Sequence, residues 1–430
     1  MKISHTQKVH AINKKIKAKN TLIIGTDISK EKHSYYFSTS QKAIKSNTSK
    51  SKFLELENSQ KGFKELILQI KQRVLSLDKV VVGMEPTSIY WKPLKEFLVK
   101  EGITVVLVDP NAVYYNRKTI NGNQSKTDKK DAYAIYDLLK QNKFLIPRKH
   151  SARYQEGQTL LTDIHELETD ILRKKNQLRA KLGIVFPEFE NIFADAFKPS
   201  TLRFLQNFSS PKLIVSLSES EFIKKAREVC TTTTIKLKRI YAEARTTTAL
   251  ENHDTEHIVI FTKMLLMLME EKEKIFEKCY AIAQTDSRFK RLLEIEGIGH
   301  KIAIGIYFSL GDYNEIDSSK KVTKLAGLDV IFKQSGTSIN GVPRISKCGS
   351  MMMRTWGTKA AISLLHHDNK YSVLYARRKK NSNKSGAGKK ALIAVADSVL
   401  RTCYAILKDD IGYNPKRDEE LGRKFRKKTK

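Results

Sequence analysis

The sequence has few of the residues that cross-link a chain or anchor it in a membrane. Its four cysteines are far apart and form no CxxC pair, which argues against a zinc ribbon and a disulfide framework. The longest apolar run, IVIFTKMLLMLM, contains a lysine and is too short to span a bilayer. The N-terminal stretch has no apolar signal core. We therefore expect a soluble cytoplasmic protein with no membrane partner.

Acidic residues are also scarce relative to basic ones. The chain of 430 residues has 46 Asp and Glu against 79 Lys and Arg, a formal net charge of +33. An excess of this size repels itself unless a polyanion neutralises it, and nucleic acid is the commonest such partner. A membrane surface is the other candidate, but the sequence shows neither a basic amphipathic helix nor a lipidation signal. The charge therefore predicts a nucleic-acid-binding protein.

The length predicts two to four domains, and changes in pattern along the chain mark their boundaries. We predict five segments: a basic arm at 1–20, an α/β domain at 21–150, a helical region at 151–285, a mostly helical C-terminal domain at 286–410 and a basic tail at 411–430.

Apolar strands precede and then alternate with amphipathic helices in the first domain. The predicted strands are TLIIGTD, HSYYFSTS, KAIKSN, DKVVVGMEP and ITVVLVDP. Three strands followed by strand–helix alternation favour a mixed sheet covered on its faces, in the order expected of an RNase H-like domain. Asp27 and Glu85 each end a predicted strand, where ligands of open α/β sheets gather.

The region after this domain reads as helical. Two apolar stripes, Leu160 to Leu182 and Ile258 to Ile282, keep a seven-residue rhythm. They predict two long helices that pair as a coiled coil, within one chain or between chains, or else a plain helical hairpin packed on its own domain. Next, EIEGIGHKIAIG predicts a helix-hairpin-helix, in which Gly297, Gly299 and Lys301 would contact phosphate.

The stretch SKTDKKDAYA carries two aspartates, Asp128 and Asp131, on a predicted helix. Residues three apart share one helix face, so both carboxylates can point at one place. Without other evidence, two such aspartates are usually on the solvent-facing side of a helix. The lysines around it are predicted to contact nucleic-acid backbone: Lys126, Lys129 and Lys130.

Packing of this helix beside the strands that end at Asp27 and Glu85 would bring four carboxylates together. Mutual repulsion and desolvation make such a cluster unfavourable without a cation. Carboxylate oxygens suit Mg²⁺ or Mn²⁺, and a pair of such ions can flank a phosphodiester. The sequence therefore predicts a divalent-metal site made by Asp27, Glu85, Asp128 and Asp131.

Six motifs, in the same order, resemble the DEDD transposases of bacterial insertion sequences. They are GTDISK, GMEPTSIYW, KTDKKDAYAI, EIEGIGHKIAIGIYFSLGD, KLAGLDV and QSGTSINGVPRISKCGSMMMR. That family includes Piv-type invertases and members guided by a bridge RNA. The resemblance covers residues 20–145 and 285–410, and the middle of the chain is similar only in being helical.

The resemblance implies a RuvC-like domain carrying the four acids, a coiled-coil insertion and a C-terminal transposase domain with a nucleophilic serine. The acids map onto Asp27, Glu85, Asp128 and Asp131, and the serine onto Ser335. Such an enzyme would cut and rejoin donor and target DNA through a serine–phosphodiester link. The implied partners are DNA, a guide RNA and further copies of the chain in a dimer or tetramer at the bacterial nucleoid.

The segment around Ser335 is compatible with this role. A serine hydroxyl is a weak nucleophile, and no histidine lies near it in sequence, so metal ions would have to activate it. Gly336 would let backbone approach DNA closely. Ser346, in RISK, is a rival nucleophile. The predicted phosphate clamps are Arg344, Lys347 and Arg354.

Two other functions stay open. A hydrolytic RNase H-like nuclease or Holliday-junction resolvase would use the acids to activate water, and Ser335 would have no catalytic role. A non-catalytic nucleic-acid-binding scaffold would use only the hairpin and the basic tails. The presence of all four acids argues against the scaffold, and the QSG segment argues against a simple nuclease.

Overall fold

A computed structural model of the chain describes residues 5–38, 52–86, 88–121, 127–148, 151–193, 195–249, 255–332, 334–335, 339–340, 343–380 and 386–414. The chain divides into two units, Met1–Lys149 and His150–Lys430. Across those described ranges, no helix has the length and apolar character needed to cross a membrane.

The first unit contains a five-stranded mixed sheet. Its elements are α1 (His5–Lys17), β1 (Leu22–Ile28), β2 (Lys32–Phe37), β3 (Phe53–Glu57), α2 (Gln60–Lys71), β4 (Val80–Met84), α3 (Trp91–Lys100), β5 (Thr104–Leu107), α4 (Pro110–Asn121) and α5 (Asp128–Lys140). The strand order is β3-β2-β1-β4-β5, with β1–β2 and β2–β3 antiparallel and β1–β4 and β4–β5 parallel. The predicted mixed α/β sheet is confirmed, and its order is compatible with an RNase H-like domain.

Helices cover both faces of this sheet because its strands are apolar on both sides. Leu22 and Ile24 of β1 pack with α2 and α3 in one core. Ile23, between them, points the other way and packs with α1, α4 and α5 in a second core. The alternation of side chains along a strand produces this division.

Helix α5 lies directly against the backbone of the central strands. A Cβ atom added at Gly25 of β1 would lie 2.1 Å from the carbonyl oxygen of Ala132 and 2.5 Å from the backbone nitrogen of Tyr136. At Gly83 of β4, an added Cβ would lie 2.6 Å from a methyl of Leu139. The absence of a side chain at these two positions therefore sets how close α5 comes to the sheet.

Two predicted segments of the first unit differ from the structure. Residues 42–47, predicted as the third strand, lie outside the described residues, and Phe53–Glu57 forms the third strand of the sheet. Residues 5–17 of the predicted basic arm form helix α1, and its residue Ile16 is buried in the core with α5. An apolar contact therefore holds this arm on the domain.

The second unit is mostly helical. Its elements are α6 (Ala152–Val185), α7 (Pro199–Asn207), α8 (Pro211–Val215), α9 (Glu219–Val229), α10 (Thr234–Arg245), α11 (Glu256–Ala283), α12 (Phe289–Leu292), α13 (His300–Leu310), α14 (Ser319–Leu325), β6 (Val330–Ile331), β7 (Gln334–Ser335), β8 (Ile339–Asn340), β9 (Arg344–Ile345), α15 (Met351–Leu364), α16 (Lys370–Lys380) and α17 (Ala387–Asp409).

Helices α6 and α11 pack against each other within one chain and run antiparallel. Ile164 near the start of α6 shares a core with Cys279 near the end of α11. Leu178, later in α6, shares a different core with Leu265 of α11. The pair therefore connects a proximal core, built with α12 to α17, to a distal core, built with α7 to α10. The two helices pair within this chain, and a coiled coil, within one chain or between chains, stays a prediction.

A buried carboxylate joins the start of α6 to the proximal core. Asp286 accepts hydrogen bonds from the hydroxyls of Tyr307 at 2.8 Å and Tyr313 at 3.1 Å, and it pairs with Arg153 of α6 at 3.2 Å. Burial raises the pKa of both tyrosines, so they remain donors. This network satisfies a charge that would otherwise be costly to bury.

Replacing Gly25 with alanine tests the packing of α5. The added methyl would collide with helix backbone, and overpacking of this kind typically costs about 1–3 kcal/mol. We expect calorimetry to show a lower unfolding midpoint for the first unit. Gly183→Ala in α6 is the matched control, because an added Cβ there meets nothing within 4 Å and alanine favours helix. Equal midpoints for Gly25→Ala and wild type would contradict the close approach.

Candidate active site

Asp27 and Glu85 stand near the carboxyl ends of two neighbouring parallel strands, Asp27 as the last residue but one of β1 and Glu85 directly after β4. Thr26 of β1 is in register with Met84 of β4, and the two acids are the next residues. Each stands two positions after a glycine that faces α5, so strand alternation directs both side chains to the face that α5 covers. Both are partly buried.

Asp128 and Asp131 occupy the first turn of α5. Thr127 caps this helix, its hydroxyl accepting the backbone N–H of Lys130 at 3.4 Å. Asp128 is exposed, whereas Asp131 is buried and directly precedes Ala132, the residue whose carbonyl faces Gly25. The positive end of the helix dipole favours carboxylates at this position.

Arg117 of α4, which sequence reasoning missed, neutralises Asp131. Its Nη1 donates to Oδ1 of Asp131 at 2.5 Å, and both side chains are about nine-tenths buried. Nε of Arg117 has no hydrogen-bond partner. A signal was present in the sequence: Arg117 stands four residues after Val113 and three before Ile120, on the apolar stripe of α4. A charge on such a stripe usually has a buried partner.

The chemistry of the four acids fits a divalent cation, and the surroundings of Asp131 already accommodate a positive charge. Asp27, Glu85, Asp128 and Asp131 offer the hard oxygen ligands that Mg²⁺ prefers. Within the ranges that the structure describes, no three Asp, Glu, His or Cys side chains are grouped so as to hold a metal ion. The four-acid metal site stays a prediction.

Ser335 lies in a small β-hairpin of the second unit. It pairs with Ile339 in the two-residue strands β7 and β8, and the outer strands β6 and β9 pair Val330 with Ile345. Gly336, the predicted point of close approach to DNA, lies outside the described residues. The predicted nucleophile is thus the last residue of β7.

Ser346, the rival nucleophile, is held by a carboxylate. Its hydroxyl donates to Oδ1 of Asp329 at 2.6 Å, and its backbone N–H donates to the carbonyl of the same residue at 2.8 Å. The hydroxyl oxygen in turn accepts the N–H of Cys348 at 3.3 Å. Sequence reasoning did not identify Asp329 as a partner, because the contact depends on the ribbon made by β6 and β9.

The predicted phosphate clamps differ in their exposure and in the hydrogen bonds that they already make within the protein. Arg344 on β9 and Lys347 after it are exposed, and Lys347 has a left-handed backbone with φ 55°. Nη1 of Arg354 donates to the carbonyls of Ala326 at 2.9 Å and Gly349 at 3.1 Å. Arg354 therefore fixes the turn after β9, which leaves less of its guanidinium for phosphate.

Of the predicted hairpin residues, Gly297 and Gly299 lie between α12 and α13, and Lys301 lies in the first turn of α13. Gly297 has φ 91°, and its carbonyl accepts the hydroxyl of Ser363 at 2.7 Å. Gly299 caps α13, with open space around it. Lys301 is ion-paired with Glu273 of α11 at 2.5 Å. The helix-hairpin-helix stays a prediction.

The structure describes two of the three predicted lysines near the acids. Lys126 lies outside the described residues. Lys129 is exposed and Lys130 is partly buried, both in the first turn of α5. Their contact with nucleic acid stays a prediction.

Two protein-family models match the chain. A model described as "Transposase" matches residues 24–187, and one described as "Transposase IS116/IS110/IS902 family" matches residues 289–376. Together they cover more than half of the sequence.

The chain belongs to the IS110 family of transposases.

Two curated relatives agree with this membership. The pilin gene-inverting protein of Moraxella bovis is 21% identical over 353 residues, covering 82% of this chain and 88% of that protein. The transposase for insertion sequence element IS1111A of Coxiella burnetii is 31% identical over 91 residues, covering 21% of this chain and 25% of that protein. The resemblance drawn from the six motifs is confirmed.

The matched ranges contain both sets of predicted catalytic residues of this IS110-family transposase. The range 24–187 contains the four acids and ends just after α6, whereas 289–376 contains Ser335, Ser346 and the hairpin residues. Residues 188–288, which include the distal core helices, lie in neither range.

Removal of Arg117 tests its pairing with Asp131. Arg117→Met leaves a buried carboxylate without its cation, a change that typically costs about 3–5 kcal/mol. We expect a lower unfolding midpoint, and we expect millimolar MgCl₂ to raise that midpoint more in the variant than in wild type, because metal can replace the lost charge.

The matched control is Arg173→Met, which breaks an exposed ion pair with Asp170 and should cost at most about 1 kcal/mol. Equal midpoints for Arg117→Met and the control would refute the buried pair. An identical Mg²⁺ response in Arg117→Met and wild type would argue against metal at Asp131.

Proposed function

We propose that this chain is a DNA recombinase that cuts and rejoins DNA strands in transposition, with Asp27, Glu85, Asp128 and Asp131 as its metal-binding acids and Ser335 as its nucleophile. Membership of a transposase family supports the reaction class. The name of the Moraxella bovis relative, a gene-inverting protein, describes a DNA rearrangement of the same kind.

The observation that carries the proposal is the arrangement of acids in the first unit. Asp27 and Glu85 end adjacent parallel strands and point toward the face of the sheet that α5 covers. Asp128 and Asp131 stand on the first turn of that helix. An RNase H-like catalytic domain, to which we assign the first unit, is expected to carry its acids on these same elements.

The proposed reaction exchanges one phosphodiester for another. The Ser335 hydroxyl gives up its proton as its oxygen bonds to phosphorus, and the bond from phosphorus to one deoxyribose oxygen breaks, that oxygen taking up a proton. Attack by a deoxyribose hydroxyl of a second strand reverses these steps and releases the serine. The bond count is conserved, so joining needs no external energy source.

Mg²⁺ or Mn²⁺, when bound, would supply positive charge to the phosphate and to the hydroxyl that loses its proton. The four acids would hold it, and Arg117 would keep Asp131 in place. Exposed Lys129, Arg344 and Lys347 would contact DNA backbone as charge-assisted donors.

The partners we propose are donor DNA, target DNA and a guide RNA. A net charge of +33 is ample for more than one polyanion. We further propose that the enzyme works as a dimer or tetramer, in which the acids of one subunit and the serine of another form one composite site.

One observation favours Ser346 as the nucleophile instead. Its hydroxyl donates to the Asp329 carboxylate at 2.6 Å, an arrangement in which the carboxylate can take the hydroxyl proton. The test of the proposal therefore has to separate the two serines.

The acids are tested by Asp128→Asn, which keeps the size of the side chain and removes its charge. We expect recombination of a plasmid carrying the native flanking DNA to fall by at least about a hundredfold, the scale of a lost electrostatic stabiliser. Salt-sensitive DNA binding should be nearly unchanged. Asp170→Asn, at an exposed helix position, is the control and should recombine normally. Parallel losses of binding and recombination in Asp128→Asn would rule out the metal-site assignment.

The serine is tested by trapping the covalent adduct. Cells expressing the protein beside its native flanking DNA are lysed in denaturant, and DNA attached to protein is measured for wild type, Ser335→Ala and Ser346→Ala. We expect the adduct to disappear only in Ser335→Ala. Disappearance only in Ser346→Ala would move the nucleophile to Ser346. Cut DNA without adduct in wild type would identify a hydrolytic nuclease.

A further inference from the structure

Helix α4 presents two tyrosines to solvent beside the predicted acid site. The exposed fraction is 65% for Tyr115 and 43% for Tyr114. Within the part of the chain that the structure describes, the one other largely exposed aromatic residue is Phe332. Most aromatic rings of this protein are packed in its cores, so a pair of neighbouring exposed rings calls for an explanation other than folding.

Residues other than the two tyrosines hold α4 on the domain. Val113 is buried in the core with α5, and Arg117 forms the ion pair with Asp131. The Arg117 guanidinium also lies 5.8 Å from the ring centroid of Tyr114. Nδ2 of Asn116 adds donations to the carbonyl of Ala134 and to Asp137, both at 3.1 Å. The two tyrosines therefore lie on a rigid helix whose position is set by other residues.

The chemistry of the exposed side fits nucleic acid. Nζ of Lys118 lies 4.3 Å from the ring centroid of Tyr114, within cation–π range, and the rings of Tyr114 and Tyr115 have centroids 5.3 Å apart. No acidic residue occurs in α4. Aromatic rings interleaved with cations are the combination with which proteins bind unpaired bases, the rings stacking on bases and the cations meeting phosphates.

We propose that Tyr115, with the Tyr114 ring set edge-on beside it at an interplanar angle of 74°, forms a stacking platform for an unpaired base of a DNA strand near the acids. The platform rests on the proposed function, because bases become unpaired only where strands separate for exchange. In duplex DNA the base faces are covered by neighbouring bases, so a single strand is the form that the rings can bind. A second copy of this chain is a poorer occupant, since it would bring the same Lys118 charge to the same face.

The platform is tested by the affinity of the full-length protein for fluorescein-labelled thymidine strands of about 20 nucleotides, longer than a typical single-strand site, and for a duplex of equal length. We expect Tyr115→Ala to weaken single-strand binding about tenfold and duplex binding less than about twofold. Tyr115→Phe should retain wild-type affinity because it keeps the ring. Leu75→Ala, which changes an 86% exposed apolar residue of the same unit, is the matched control and should change neither affinity.

A photocrosslink identifies the contact directly. With 5-bromouracil in the single strand, we expect the adduct on the tryptic peptide 101–117, in which Tyr114 and Tyr115 are the only tyrosines. Equal loss of single-strand and duplex binding in Tyr115→Ala, or adducts only on other peptides, would overturn the proposal. So would a change in oligomeric state, measured by light scattering, without a change in DNA binding.

These outcomes separate the platform from the recombination chemistry. A tenfold loss of single-strand affinity in Tyr115→Ala, together with no covalent adduct in wild type, would support the platform and contradict the serine mechanism. A normal covalent adduct in wild type, together with unchanged single-strand binding in Tyr115→Ala, would support the serine mechanism and contradict the platform.

Discussion

The contact between the backbone of α5 and Gly25 of β1 is the constraint on which the candidate site depends. Asp27 follows Gly25 by two residues, and Asp131 directly precedes Ala132, whose carbonyl faces that glycine. One packing contact therefore sets the position of acids that come from distant parts of the chain. Any side chain at Gly25 would push α5 away, because the backbone atoms it would meet have no alternative rotamer, and apolar packing around Ile135 and Leu138 holds the helix in place.

The acids stand in an electrostatic setting that differs from the rest of the protein. A chain of net charge +33 attracts polyanions over its surface, yet the predicted site gathers negative charge. Arg117 reduces this conflict at Asp131 with a cation from the neighbouring helix. Asp128 is left exposed at the helix N-terminus, where the backbone N–H groups favour it. The first turn of α5 thus contains one acid that is already neutralised and one that faces solvent.

Local pattern was enough to predict β1, β4 and β5, since each is a continuous apolar run, and it was also enough to predict the helix α5. The third strand was placed too early in the chain, although Leu54 to Glu57 alternate between apolar and charged residues, a signal that sequence reasoning overlooked. The partners Arg117 and Asp329 were missed because each meets its partner 14 or 17 residues away only after folding. Sequence analysis predicted the region of α7 to α10 as helical but did not divide it into separate helices, because it followed only the long apolar stripes of α6 and α11.

The two cores along α6 and α11 have a consequence for how this chain tolerates change. They share no buried residue, and the distal core helices lie within the stretch between the two matched ranges, 188–288. A change in the helices at that end of the pair therefore leaves the packing of the proximal core intact. The hairpin of α6 and α11 is thus a place where an inserted segment can add new surface to this chain without disturbing the core that contains α12 to α17.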